Sequence, residues 1–148
     1  MKEVERMKKP FFILLAIIVL VIIIISFTYW NYQKMALRAE ELNRELESYT
    51  TNPILGSSLL TLMNKVIDQN EKNAVDKDEK GFYIENQETS IKIDVKFLES
   101  DKLFSMENIQ KAGIEQFVKN YGNMVFQCID KSYHTKTKRI SYLRFDQI

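Results

Sequence analysis

Twenty consecutive positions, Phe11 to Trp30 (FFILLAIIVLVIIIISFTYW), carry no charge and almost no polar atom. As a helix rising about 1.5 Å per residue the run is roughly 30 Å long, the thickness of a bilayer's hydrocarbon core. A backbone in lipid must satisfy its own hydrogen bonds, so the pattern predicts a membrane-spanning helix over 11–30. The pattern then turns amphipathic. Tyr32, Met35, Ala39, Leu42, Leu46 and Tyr49 recur at alternating spacings of three and four, the seam of a heptad repeat. A juxtamembrane helix is predicted over 31–52, ended by Asn52-Pro53 because the residue before proline is pushed out of helical geometry. Two uses of its seam are open: contact with another helix, or packing on its own domain.

Past Pro53 the periods alternate. Leu59, Leu62, Met63, Val66 and Ile67 form one face of a helix over about 58–72, with Gly56-Ser57-Ser58 as its capping start. A polar loop (NAVDKDEKG) follows over 73–81. Ile91, Ile93, Val95 and Phe97 alternate with Lys92, Asp94 and Lys96, a strict period of two that predicts a half-buried strand. With Phe82–Glu85 and the link 86–89 it reads as a hairpin. Residues 105–121 return to helical spacing, with Ser105 as cap, Gly113 as a break point and Gly122 as the end. Two more strands are predicted over 124–133 and 139–147, around a polar turn 134–138. The expectation is an α+β domain over 53–148: a four-stranded antiparallel sheet covered by two helices.

Flanking charge orients the span. The first nine residues carry four Lys or Arg (Lys2, Arg6, Lys8, Lys9), against three over 31–45 (Lys34, Arg38, Arg44). By the positive-inside rule residues 1–10 form a cytoplasmic tail and the rest lies outside a cell membrane crossed once. The apolar run is too long for a secretory signal, and no small-residue cleavage pattern follows it, so an uncleaved anchor is expected.

Composition excludes several chemistries. Residues 31–148 hold 17 Lys and Arg against 18 Asp and Glu, a balance that offers no field for nucleic acid. One cysteine, Cys128, and one histidine, His134, do not make a zinc cluster or an internal disulfide. Cys128 reads as a small apolar filler. Asp76-x-Asp78-x-Lys80-Gly81 resembles the front of a calcium loop, but Lys80 stands where an oxygen ligand is needed, and Gln87 where a carboxylate is needed. Asp130, Ser132 and His134 share one face of a strand, yet neighbours at i and i+2 are about 6.6 Å apart, beyond the reach of about 2.6–3.2 Å that a triad needs. No cofactor, metal or catalytic group is expected, and Ser57 and Ser58 are assigned to capping.

Gly56 through Asn73 (GSSLLTLMNKVIDQNEKN), Asp78-Glu79-x-Gly81-x-Tyr83-Ile84, Ser90-Ile91-Lys92-Ile93 and Phe117-Val118-Lys119-Asn120-Tyr121-Gly122 resemble a group of single-span envelope proteins of Gram-positive bacteria, associated with pilus or type II secretion-like loci. The resemblance covers about 56–145 and implies no catalytic residues. The plan is also similar to that of type IV pilins and pseudopilins, whose apolar helix continues into an amphipathic one beneath an antiparallel head. Those proteins are cut after glycine or alanine and carry glutamate five residues on. Here Pro10 and Leu15 stand at those places, a departure that counts against peptidase processing and subunit polymerisation of that kind.

The functional expectation is a non-enzymatic, membrane-anchored envelope protein whose outer domain contacts other envelope proteins or a second copy, as an accessory of a pilus-like or secretion assembly. Tyr32, Met35, Ala39, Leu42 and Leu46 are the expected helix-contact residues. The alternative is a tethered binding or sensing module that recognises an anionic ligand or surface polymer through Lys131, Lys136, Lys138 and Arg139.

Overall fold

A computed structural model describes the backbone of residues 2–148 and the side chains of residues 11–148. The cationic side chains of the tail, 1–10, lie outside the described residues. Helix α1 (Lys2–Glu47) contains the whole apolar run, whose side chains are all exposed. Its polar end groups are satisfied locally. Thr28 donates to the carbonyl of Ile25 at 2.9 Å, Gln33 donates to the Tyr29 hydroxyl at 2.9 Å, and the Lys34 ammonium lies 4.5 Å from the Trp30 ring centre.

The chain divides into two compact units, one ending at Leu37 and the other Arg38–Ile148. In the second unit the last turns of α1 are followed by β1 (Ile54–Leu55), α2 (Gly56–Lys72), β2 (Lys92–Lys96), β3 (Leu103–Ser105), α3 (Met106–Ala112), α4 (Ile114–Tyr121), β4 (Val125–Tyr133) and β5 (Ile140–Gln147). α1 ends at Glu47, short of Asn52-Pro53, in a tight turn where Tyr49 and Thr50 donate to the carbonyls of Leu46 and Glu47.

The fold is α+β, but the sheet has five strands and is mixed, not four-stranded and antiparallel. Its order is β1-β4-β5-β2-β3. β1–β4, β4–β5 and β2–β3 pair antiparallel, while β2 and β5 run parallel, Ile93 opposite Leu143 and Val95 opposite Phe145. The expected hairpin is absent because Phe82–Glu85 makes no strand. Tyr83 contributes a single bridge to Lys77 and buries its ring, and Asn86 captures the following backbone: its Oδ1 accepts from the amides of Glu88, Thr89 and Ser90 at 2.7–3.0 Å. A side chain that takes three amides leaves the loop no need of a ladder.

The period-two reading of β2 holds: Ile91, Ile93, Val95 and Phe97 are buried, and Lys92, Asp94 and Lys96 face outward. In β4 and β5 the alternation breaks at two register shifts. Cys128 pairs with Phe145 and Asp130 with Arg144, so Ile129 is an extra residue and is exposed. Ser132 pairs with Tyr142 and Tyr133 with Ile140, leaving Ser141 extra and allowing both Ile140 and Leu143 to point inward.

The core joins Leu59, Leu62, Met63 and Val66 of α2 to the inner face of the sheet, with Met106, Ile109 and Phe117 from α3 and α4 and Leu46 from the end of α1. α3 is capped as expected, the Ser105 hydroxyl accepting from the Asn108 amide at 3.3 Å, and Gly113, at φ 107°, separates α3 from α4. The start of α2 differs: neither Ser57 nor Ser58 caps it. The amides of Gly56 and Ser57 donate to the carbonyls of Met124 and Gly122 at 2.8 and 3.0 Å, tying the helix start to the α4–β4 connection.

Candidate functional site

The predicted seam residues separate. Tyr32 and Met35 are exposed on α1, each at 56 %. Ala39 and Leu46 are buried at 3 % and 1 %, and Leu42 packs against the domain core. On the same stretch Asn43 grips the start of β5, donating to the carbonyl of Lys138 at 2.7 Å and accepting from the amide of Ile140 at 2.8 Å. The lower seam is therefore a domain-packing surface, and Ala39, Leu42 and Leu46 are not free to meet a second helix. Of the five residues expected to do so, Tyr32 and Met35 present open side chains.

The four cations expected at the β4–β5 turn do not form one free patch. Lys131 pairs with Glu47 at 3.4 Å, and Lys136 with Glu88 at 2.7 Å. Arg139 is half-buried, and burial pulls its guanidinium below its ordinary pKa. Lys138 sits at φ 58°, with its carbonyl held by Asn43. Glu47 is drawn below the usual carboxylate range, first by the hydroxyl of Tyr133 donating at 2.8 Å and then by Lys131. These contacts fasten α1 to β4 and the 86–90 loop to the turn, which is a structural use of the charge.

His134 is buried, and its Nε2 lies 2.7 Å from the carbonyl oxygen of Ser90; that oxygen only accepts, so Nε2 carries the proton. Asp130 and Ser132 are exposed and do not meet it. Asp78 uses its carboxylate to close the turn before Tyr83, accepting from the amides of Lys80 and Phe82 at 2.9 and 2.8 Å. Among the described residues no three His, Cys, Asp or Glu side chains are grouped to hold a metal ion. Cys128 is half-buried with its Sγ 3.5 Å from the carbonyl of Asp130, and burial pushes its thiol pKa up.

The described residues form several concavities, of which two differ sharply in lining. A polar cleft of about 510 Å³ lies between the 85–87 loop and the β4–β5 turn, with Tyr133, His134, Lys136 and Ser141 on its walls. Its principal groups are already engaged, His134 with Ser90, Lys136 with Glu88 and Tyr133 with Glu47. The second is a groove of about 200 Å³ between β3, α3 and α4. Its floor is aromatic. The ring of Phe97 stands 5.4 Å from Phe104, 6.3 Å from Phe117 and 4.4 Å from Tyr121, mostly edge-on or tilted. Asn108, Gln116 and Asn120 line it as polar residues, all three exposed, and no charged residue lines it.

This groove is the site that sequence reasoning missed. Periodicity places Phe97 in a half-buried strand and Phe117 and Tyr121 in a helix, with nothing to set them apart from other apolar positions. A local signal existed in α4, where Gln116-Phe117 and Asn120-Tyr121 repeat an amide–aromatic pair at i and i+4, which stacks the two pairs on one helix face. The other wall comes from Phe104, on a three-residue strand that periodicity does not reveal. Comparison of the chain with protein families, with curated proteins and with solved structures returns no match.

Proposed function

We propose that this chain is a single-pass, membrane-anchored envelope protein whose outer α+β domain binds other proteins and carries out no chemistry. One observation carries the reading. Phe11–Trp30 is an uncharged, fully exposed helical run, and the domain that follows has its own closed core from Leu46 onward. In water so long a run of exposed apolar side chains is untenable, and in lipid they are satisfied. The excess of Lys and Arg before the span supports a cytoplasmic N-terminus and an outer domain.

The binding reading is supported by how polar groups are used. Glu47, Glu71, Glu88, Asn43, Asn70 and His134 are engaged in internal contacts, while the uncharged aromatic groove remains open. Pairing of Lys131 with Glu47 and of Lys136 with Glu88 weakens the turn as an anion site and favours a protein partner over an anionic polymer. A role as an accessory of a pilus-like or secretion assembly is in keeping with the plan of an apolar helix running into a head domain, an argument from architecture.

The test is a topology reporter. Alkaline phosphatase, active only outside the cytoplasm, fused after Ile148 should be active, and carbonate washing should leave the fusion in the membrane. An inactive fusion, or release by carbonate, overturns the reading.

A further inference from the structure

Resting on the binding reading above, we propose that the groove between β3, α3 and α4 receives one large uncharged side chain of an extended peptide segment supplied by a partner protein. Volume argues first. Sites for drug-sized molecules run from about 300 to 1,000 Å³, whereas this groove holds about 200 Å³, room for a single aromatic or long aliphatic side chain.

Charge argues second. In a chain with 28 % charged residues the groove is lined by none. A charged occupant would be desolvated there against Phe97, Phe117 and Tyr121 without a counterion. An uncharged one matches the lining, so the complementarity selects against anionic headgroups and polyanions.

The polar residues argue third. Asn108, Gln116 and Asn120 each present a carboxamide, a group that both donates and accepts. A peptide backbone on either side of the inserted residue offers the same pairing in reverse. A hydrocarbon chain would leave those amides facing apolar atoms. An extended strand of the partner satisfies floor and amides together, and β3, an edge strand of the sheet, lies beside the groove.

The experiment uses the full chain in phospholipid nanodiscs, panned against a random short-peptide display library with empty discs as control. Enrichment of one Phe, Tyr, Trp, Leu or Met flanked by uncharged residues is expected. The best synthetic peptide should bind Ala112→Trp, which fills the groove, about tenfold or more weakly than the parent. Asn120→Asp, an exposed substitution that preserves the fold, should weaken the same peptide, and both variants should melt as the parent does. No enrichment over empty discs overturns the proposal. So does enrichment of charged motifs, binding indifferent to both substitutions, or N-acetylphenylalaninamide binding as tightly as the peptide. Carbonate extraction of the same protein from its membrane separates the two readings. Release with peptide binding intact defeats the anchor and spares the groove; retention without peptide binding defeats the groove alone.

Discussion

Gly56 occupies a place where no side chain fits. A Cβ built there falls 2.0 Å from the carbonyl oxygen of Tyr121, a backbone atom at the end of α4 that has no freedom to yield. Gly56→Ala should therefore destabilise the domain by about 1–3 kcal/mol, read from the urea midpoint, even though alanine is the better helix former. Local pattern reading assigned Gly56-Ser57-Ser58 to capping, since glycine and serine are ordinary cap residues. The actual reason, a close approach to a segment more than sixty positions later, leaves no mark on the neighbouring residues. Titration belongs to the same scale. Burial, then the hydrogen bond to Glu71, pushes the Tyr83 hydroxyl up to about 12. Tyr142 is also pushed up to about 12, by burial and then by Asp94. Both keep their protons in the folded state at pH values where the unfolded chain, near 10, has lost them. Their contribution is whole below pH 10 and disappears as pH rises toward 12. Urea midpoints should fall across that window, with late phenolate absorbance at 295 nm, and Tyr83→Phe should shallow the fall.

At the scale of elements, two asparagines do what hydrophobic pattern does not describe. Asn70, fully buried on α2, donates to the carbonyl of Ile91 and accepts from its amide, at 2.8 and 2.9 Å, so the entrance to β2 is held by a helix side chain. Asn70→Leu would leave both backbone groups unpaired, at about 1–3 kcal/mol each, and should show as a lower urea midpoint with the far-ultraviolet spectrum retained. Asn43 performs the same service between α1 and β5. Glu47 adds a pH-sensitive clasp beside it. Its folded pKa lies below the ordinary 4.5, so its stabilisation is present above that value and is lost as pH falls. Amide protection factors over Arg38–Glu47, corrected for the intrinsic pH dependence of exchange, should fall in acid, and Tyr133→Phe should blunt that fall. Period made α2, β2, the Ser105 cap and the Gly113 break legible, because each is written in residues within a few positions of one another. β1 and β3, two and three residues long, are too short to have a period. The parallel pairing of β2 with β5 is a property of topology, and the two bulges at Ile129 and Ser141 scramble the alternation that would have shown which face is inward.

For the whole molecule, the compact unit that holds the core begins at Arg38, ahead of Pro53. Composition and proline place the start of the domain at 53, whereas packing places Leu46 at the heart of the core with Leu42 and Tyr49 against it. A fragment beginning at Arg38 retains every one of those contacts together with Asn43 and Glu47. It should be soluble, monomeric and cooperatively folded without lipid, since the apolar run it lacks contributes nothing to the core cluster. A fragment beginning at Pro53 loses them all. Burial of one large apolar side chain is worth about 1.5–3 kcal/mol. Removing Leu46 and the partial burial of Leu42 and Tyr49 therefore costs roughly 3 kcal/mol or more, against the 5–15 kcal/mol that holds a typical domain. Parallel urea unfolding of the two fragments, followed by circular dichroism, decides the matter. Equal midpoints would mean that the last turns of α1 are a passive stalk after all. A large deficit in the shorter fragment would make the last turns of α1 a structural member of the domain, contributing to its core through Leu46.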